Sequence, residues 1–133
     1  MSKSKSVSDI MNHMVVFPNG REQSLSATFE VRNHPVILKA YNMGCDTVGH
    51  IEMGHHDGCG GWTWTPFSPV CDQLLLVTCS NVVVITVPGW YRVVFRNRIT
   101  GELETGLDDL LVTVVETDMP VSMLAQYGGS TMA

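Results

Sequence analysis

The chain has 133 residues, of which 44% are hydrophobic and only 16% are charged, and its formal net charge at pH 7 is -5. This length suits one domain, and so high an apolar content with so little charge excludes an intrinsically disordered chain. The acidic balance disfavours a nucleic-acid partner, because such proteins need a cationic surface to displace phosphate counterions.

Short strand-like segments, separated by turn residues, recur along the chain, and helical periodicity is almost absent. In chain order, the predicted strands are Met14–Phe17, Ala27–Val31, Val36–Tyr41, Thr47–Met53, Gly61–Phe67, Leu74–Cys79, Val82–Val87, Trp90–Asn97 and Leu110–Glu116. A loop rich in Gly, His and Asp is predicted from Gly54 to Gly61. Strands at this spacing predict an all-β fold, a single β-sandwich of the immunoglobulin-like or jelly-roll type. The sandwich is predicted over residues 14–116, with extended N- and C-terminal arms at residues 1–13 and 117–133.

Targeting and membrane segments are not evident. Met14–Phe17 is the only apolar run near the N-terminus, and a signal peptide needs about 7–15 apolar residues. The longest apolar region, Leu74–Val87, is interrupted by polar residues and stopped by Pro88, whereas a membrane helix needs about 20 residues. We therefore expect no signal peptide, no membrane partner and synthesis in a reducing cytoplasm, where the four cysteines would be thiols.

The segment Pro88–Phe95 carries the clearest motif in the chain. It resembles the penultimate strand of immunoglobulin-like sandwiches, in which a tyrosine lies at the corner, and Gly89 and Tyr91 match that pattern. A valine at position 93, where antibody domains have a cysteine, argues against an antibody-type domain. Alternation predicts that one face of this strand is buried and that the other faces solvent or a partner. The buried set is Tyr91, Val93 and Phe95, and the outward set is Trp90, Arg92 and Arg96.

Four features taken together suggest a class of protein: one short sandwich, polar arms, no signal peptide and the hairpin region Asn97–Leu103. With these features the chain resembles small β-sandwich structural proteins of tailed bacteriophages, either capsid cement and decoration proteins or tail accessory proteins. The resemblance covers roughly residues 25–116. It implies a non-enzymatic virion protein, without catalytic residues, that binds major capsid or tail protein subunits and forms homo-oligomers.

The C-terminal arm is more apolar than a solvated tail. It could fold back on its own sandwich, but we expect it to cross to a neighbouring subunit or a capsid surface. The predicted interface residues are Trp90, Arg92, Arg96, Val121, Leu124 and Tyr127.

Trp62 and Trp64 lie two residues apart on one strand, which puts both indoles on one face about 7 Å apart. Three uses are open: filling the core, forming a subunit interface, or stacking on sugar rings. We expect core filling first. The sugar alternative would make the chain a carbohydrate-binding module that uses Trp62, Trp64 and Trp90.

The candidate metal ligands are His50, His55, His56 and Cys59. Zinc takes four N or S ligands in a tetrahedron, but the paired C-x2-C spacing typical of structural zinc sites is missing. We therefore expect a polar loop and no cofactor, with structural zinc as the alternative.

Overall fold

A computed structural model of the chain describes residues 14–17, 24–69, 72–104, 107, 109–117 and 130–131. Within these ranges all regular structure is β, and no helix is long and apolar enough to cross a membrane. The strands are β1 (Met14–Phe17), β2 (Phe29–Val31), β3 (Val36–Tyr41), β4 (Thr47–His56), β5 (Trp62–Pro66), β6 (Leu75–Leu76), β7 (Val82–Ile85), β8 (Gly89–Asn97), β9 (Leu111–Glu116) and β10 (Ser130–Thr131). The predicted all-β class is confirmed.

The strands form two sheets that pack on a shared core. One sheet has the order β1-β9-β3-β7-β10, and the other has the order β2-β8-β4-β5, with β6 also pairing with β4. All neighbours are antiparallel except β10, which runs parallel to β7. The first four strands alternate between the sheets, so the chain crosses the sandwich after each of β1, β2 and β3. The predicted β-sandwich architecture therefore agrees with the observed layers.

The core consists of the inward-facing residues of both sheets. Tyr91, Val93 and Phe95 of β8 are each 0% exposed, which confirms the predicted register of this strand. Residues from β2, β3, β4, β6, β7 and β9 belong to the same cluster, and so does the buried Phe67. The alternation follows from strand geometry, because successive side chains point to opposite faces of a sheet.

The corner before β8 has the local geometry that the Gly89 and Tyr91 motif predicts. The Tyr91 hydroxyl donates a hydrogen bond of 2.6 Å to the carbonyl oxygen of Val87, four residues upstream. Gly89 has a φ of 153°, a conformation that residues with a Cβ rarely adopt. A Cβ at Gly89 would also lie 2.6 Å from Cε of Met53. Glycine is therefore required here on two counts.

The predicted loop from Gly54 to Gly61 is wrong in its first half. β4 continues to His56, and Gly54, His55 and His56 pair with Trp64, Thr63 and Trp62 of β5. The turn is limited to the residues after His56, where one oxygen of the Asp57 carboxylate accepts the backbone N–H groups of Cys59 and Gly61. These bonds close the hairpin between β4 and β5. The two strands therefore pair over more residues than the glycine content of the segment predicted.

The predicted strand Leu74–Cys79 is shorter in the structure, where β6 comprises only Leu75 and Leu76. Val77 and Ser80 bond to each other through backbone groups and form a tight turn instead.

Of the predicted arms, residues 1–13 and 118–129 lie outside the described residues, and so do Val121, Leu124 and Tyr127. Ser130–Thr131 pair with Val83 and Val84 of β7 in the same chain. These two residues therefore lie on the chain's own sheet, and the expected crossing of the arm to a neighbouring subunit stays a prediction.

Candidate functional site

The outer face of the β2-β8-β4-β5 sheet carries three tryptophans around one glycine. Gly54 of β4 pairs with Trp64 of β5 on one side and with Trp90 of β8 on the other. Trp62 precedes Trp64 by two residues and therefore shares its face. The tryptophans thus come from two strands that are separated by β4.

The indole rings contact one another at defined angles. The Trp62 and Trp64 rings are stacked, with centroids 5.9 Å apart and planes at 22°. The Trp90 ring meets Trp62 edge-on at 6.2 Å and 72°. Together with Thr28, these rings line an open cavity of about 270 Å³, which we call the tryptophan pocket. Trp62 is 45% exposed and the other two are half-buried, so the expectation that Trp62 and Trp64 fill the core is wrong.

Gly54 lies beneath the Trp62 and Trp64 rings that line the tryptophan pocket. A Cβ at this position would lie 2.9 Å from Cη2 and Cζ3 of Trp64 and 3.0 Å from Cε3 of Trp62. The two indoles therefore occupy the space that any other residue's side chain would fill. A glycine inside a strand often marks such a close approach, and here the approaching groups are aromatic rings on the surface.

Arg92 holds one side of the cluster in place. Its guanidinium lies 4.5 Å from the centroid of the Trp64 ring. Its Nε atom also donates to Oε1 of Glu52 at 2.8 Å. A cation over an indole face is attracted by the negative potential of the ring. The ion pair and the ring contact together fix the position of Trp64 against the sheet.

A second feature lies at the opposite end of β8. Residues 97–103 form a turn that we call the 97–103 turn, in which Oδ1 of Asn97 accepts the N–H groups of Ile99 and Thr100. Ile99 and Leu103 are 72% and 56% exposed. Nη1 of Arg96 donates to the carbonyl oxygen of Gly101 at 3.0 Å. Beside this turn lies a cleft of about 280 Å³, lined by Ser24, Leu25, Glu52, Arg92, Val94, Arg96 and Leu103.

The predicted zinc ligands do not converge. His55 and His56 are successive strand residues and point to opposite faces of the sheet. His50 lies six residues from His56, roughly 20 Å along an extended strand, and its Nδ1 is 3.1 Å from Oε1 of Gln73. Within the part of the chain that the structure describes, no group of three or more His, Cys, Asp or Glu side chains could hold a metal ion. The four residues therefore do not form the site proposed from the sequence.

Other polar groups that the structure describes are either held by structural partners or exposed as free thiols. Nε2 of His55 is 3.0 Å from Oγ1 of Thr65. The two backbone N–H groups that bond to Asp57 hold the pKa of that carboxyl below its usual value. Cys45, Cys59 and Cys79 are exposed free thiols. None of these groups is paired with a second reactive side chain at the pocket.

Sequence reasoning identified the three tryptophans and the outward direction of Trp90, Arg92 and Arg96. It missed Gly54, which it assigned to a loop, and it missed the contributions of Thr28 and Glu52. The available signal was Gly54 itself, because a glycine directly after the alternating run Thr47–Met53 allows the strand to continue with close packing on one face.

No protein-family model, curated protein or solved structure matches the chain. Its function is therefore inferred from its own topology and surface.

Proposed function

We propose that this protein is a non-enzymatic structural protein of a tailed bacteriophage virion, a capsid cement or decoration protein of the jelly-roll type. The observation that carries the proposal is the nested strand pairing: β1 with β9, β2 with β8, β3 with β7, and β4 with β5. This is the pairing of one long hairpin rolled into two sheets, the arrangement of a jelly roll. Jelly rolls are frequent in viral capsid and lectin domains.

The same strand order favours the jelly roll over the immunoglobulin-like alternative. In an immunoglobulin-like sandwich the last two strands of the fold are neighbours in one sheet. Here β8 and β9 belong to different sheets, and β9 lies between β1 and β3. The corner hydrogen bond of Tyr91 is thus a local feature that the two folds can share, while the long-range pairing distinguishes them.

The 97–103 turn is the proposed attachment surface for a capsid subunit. It presents two large apolar side chains, Ile99 and Leu103, and Leu103 lines the adjoining cleft together with Arg92 and Arg96. Protein interfaces are enriched in arginine and in apolar side chains that become fully desolvated. This surface includes two of the predicted interface residues. Trp90, the third one on this strand, belongs to the tryptophan pocket at the other end of β8.

A structural role also agrees with how the polar side chains are used. Glu52 is paired with Arg92, His50 with Gln73, and the Asp57 carboxylate with the turn amides. Catalysis needs a nucleophile or base whose hydrogen bonds point at a substrate and at each other. These groups instead fix strands and turns. In this proposal the protein is made in the host cytoplasm, forms homo-oligomers and is carried on the virion.

The proposal is tested by sedimentation of purified protein with particles of the virus that encodes it. Wild-type protein should cosediment with tailless capsids, and attachment through the tail would support the alternative role as a tail accessory protein. The double variant Ile99→Asp and Leu103→Asp should remain folded but lose attachment, because two charges would be desolvated in the contact. Tyr41→Asp is the matched control, since Tyr41 is an exposed apolar residue of β3, in the other sheet.

Three results would count against the proposal. They are absence of the protein from both capsids and tails, equal attachment of the wild type and the double variant, and loss of attachment in the Tyr41→Asp control. Native mass spectrometry of the same samples gives the subunit number, and a monomer would contradict the expected homo-oligomer.

A further inference from the structure

We infer that the tryptophan pocket is a binding site for one neutral sugar ring. This inference concerns a different end of β8 from the 97–103 turn, and it does not depend on the virion role. Trp90 and Arg96 are six residues apart, roughly 20 Å along the strand. A ligand could therefore occupy the pocket while the turn contacts another protein.

The arrangement of the rings matches a sugar as ligand. Pyranose rings present apolar C–H faces, which stack on the negative faces of indoles, and hydroxyl groups at the ring edge. Trp62 is 45% exposed, and Trp90 stands at 72° to it, so the pocket has an aromatic base and an aromatic wall. The exposed Thr28, which carries a hydroxyl group, lines the same pocket.

His56 provides a second polar group beside the pocket. Its ring contacts Trp62 edge-on at 5.1 Å. The Gly58 N–H donates to Nδ1 of His56 at 3.2 Å, so in the neutral ring the proton lies on Nε2. That leaves an N–H donor next to the exposed indole. Thr28, which lines the pocket, and His56, which contacts Trp62, are therefore hydrogen-bonding groups suited to sugar hydroxyls.

The charges around the pocket favour a neutral ligand. The described residues that line it, Thr28 and the three tryptophans, are uncharged. Tryptophan cages can also bind quaternary ammonium groups, but here a cation, Arg92, already lies over the Trp64 ring. Nε of Arg92 lies 2.8 Å from Oε1 of Glu52. Because Glu52 neutralises it, the Arg92 guanidinium offers no free charge to an anionic ligand. A neutral ring is the ligand that neither repels Arg92 nor requires its ion pair to break.

The size of the pocket limits the occupant. Its volume of about 270 Å³ is just below the range of roughly 300–1,000 Å³ that is usual for small-molecule sites. A single ring-sized group fits, and the open side allows a chain of sugars to continue into solvent. The alternative occupant, an apolar side chain of a protein partner, becomes an outcome of the test.

The test is a titration of purified full-length protein with a panel of neutral oligosaccharides, followed by tryptophan fluorescence and calorimetry. The panel contains β-1,4-glucan, chitin, mannan and galactan fragments, with choline and a sulfated glycan as charged comparisons. We expect saturable binding of at least one neutral glycan and weaker binding of both charged probes. No binding of any neutral glycan, or tighter binding of choline, would overturn the inference.

Two variants connect that binding to the pocket. Trp62→Ala should lower the affinity by about tenfold or more, because a stacked ring is lost. Its melting temperature should be unchanged, because the side chain is exposed. Unchanged affinity in this variant would overturn the inference. Loss of capsid attachment in Trp62→Ala would do so as well, since it would assign the pocket to a protein contact.

Gly54→Ala tests whether the glycine beneath the Trp62 and Trp64 rings is needed for glycan binding. The new Cβ would displace the Trp64 and Trp62 rings, so the fluorescence spectrum should shift and the glycan affinity should fall. Gly44→Ala is the matched control, because a Cβ there would meet only Oγ1 of Thr47 at an ordinary 3.5 Å. Equal glycan affinity in the two glycine variants would contradict the proposed role of Gly54 in positioning the two indole rings.

Discussion

The two faces of the β2-β8-β4-β5 sheet each carry an aromatic cluster, and the two clusters serve different purposes. On the inner face, Tyr91 packs between Phe29 at 6.0 Å and Phe67 at 5.0 Å. Those rings are at most 7% exposed. On the outer face, Trp62 is 45% exposed and its cluster encloses an open pocket. Aromatic residues alone therefore do not identify a core. What covers the rings decides whether they stabilise the fold or remain available to a ligand.

Each cluster also depends on one glycine of β4. Gly49 faces inward, and a Cβ there would lie 2.9 Å from Cε1 of Phe95 and 3.0 Å from Cγ1 of Val93. Gly54 faces outward and makes room in the same way for Trp64 and Trp62. The same residue type thus permits close packing on both faces. A Cβ would have different consequences at the two positions, because the side chains around Gly49 are close-packed in the core and the indole rings over Gly54 can shift toward solvent.

The largest expected effect is on the inner face. Phe95→Ala should lower the free energy of unfolding by about 3–5 kcal/mol, since it removes a fully buried ring and leaves a cavity. Arg96→Ala, one residue along the strand on the other face, should cost under about 1 kcal/mol. Urea unfolding of both variants measures the difference. Similar values for the two would mean that the faces of β8 are assigned the wrong way round.

The second effect concerns the inner glycine. Gly49→Ala should destabilise the fold by about 1–3 kcal/mol, because Phe95 and Val93 must shift in a close-packed core. Thermal unfolding of Gly49→Ala and Gly54→Ala compares the two faces directly. We expect a clear loss only for Gly49→Ala, and equal losses in both variants would remove the distinction between buried and exposed rings.

The third effect is on Tyr91, the inner ring that has a polar end. Tyr91→Phe removes the hydrogen bond to the Val87 carbonyl and should cost about 0.5–1.5 kcal/mol at neutral pH. Burial raises the pKa of Tyr91 above its usual value. A raised pKa in the folded state contributes stability below the unfolded pKa of about 10, and that contribution is lost as the pH rises further.

Wild-type stability should therefore fall above about pH 10, and the Phe variant should fall less steeply. Chemical unfolding across this pH window gives both slopes. Parallel slopes would show that the Tyr91 hydroxyl is not protected from ionisation by burial.

The smallest effect is on the outer face. Arg92→Ala breaks a half-buried ion pair with Glu52 and a cation–ring contact, which together should contribute about 1 kcal/mol or less. The fluorescence spectrum should change, because Trp64 loses the cation over its face. Arg98→Ala is the control, since Arg98 pairs with Asp46 at an exposed site away from the rings. A spectral change of the same size in that control would mean that the change does not come from the contact between Arg92 and Trp64.

Much of the local structure could be read from the sequence. Alternation and turn residues predicted β3 and β9 to within one residue of their bounds, because a strand with one buried face needs apolar side chains at every second position. The same rule correctly placed Tyr91, Val93 and Phe95 in the core. The glycine and tyrosine of the corner before β8 were also recognised, since their roles depend only on the backbone nearby.

The sequence alone determined that the chain is an all-β protein with a defined buried face on β8, because those properties follow from neighbours along the chain. Only the tertiary structure decided which strands pair. That choice gave the nested order of the sheets, separated the four candidate zinc ligands and brought Trp62, Trp64 and Trp90 together at Gly54. The face of the sheet to which Trp62 and Trp64 point was also decided only by strand pairing. Alternation of Trp with Thr defines two faces, but only pairing with β4 decides which one meets the other sheet.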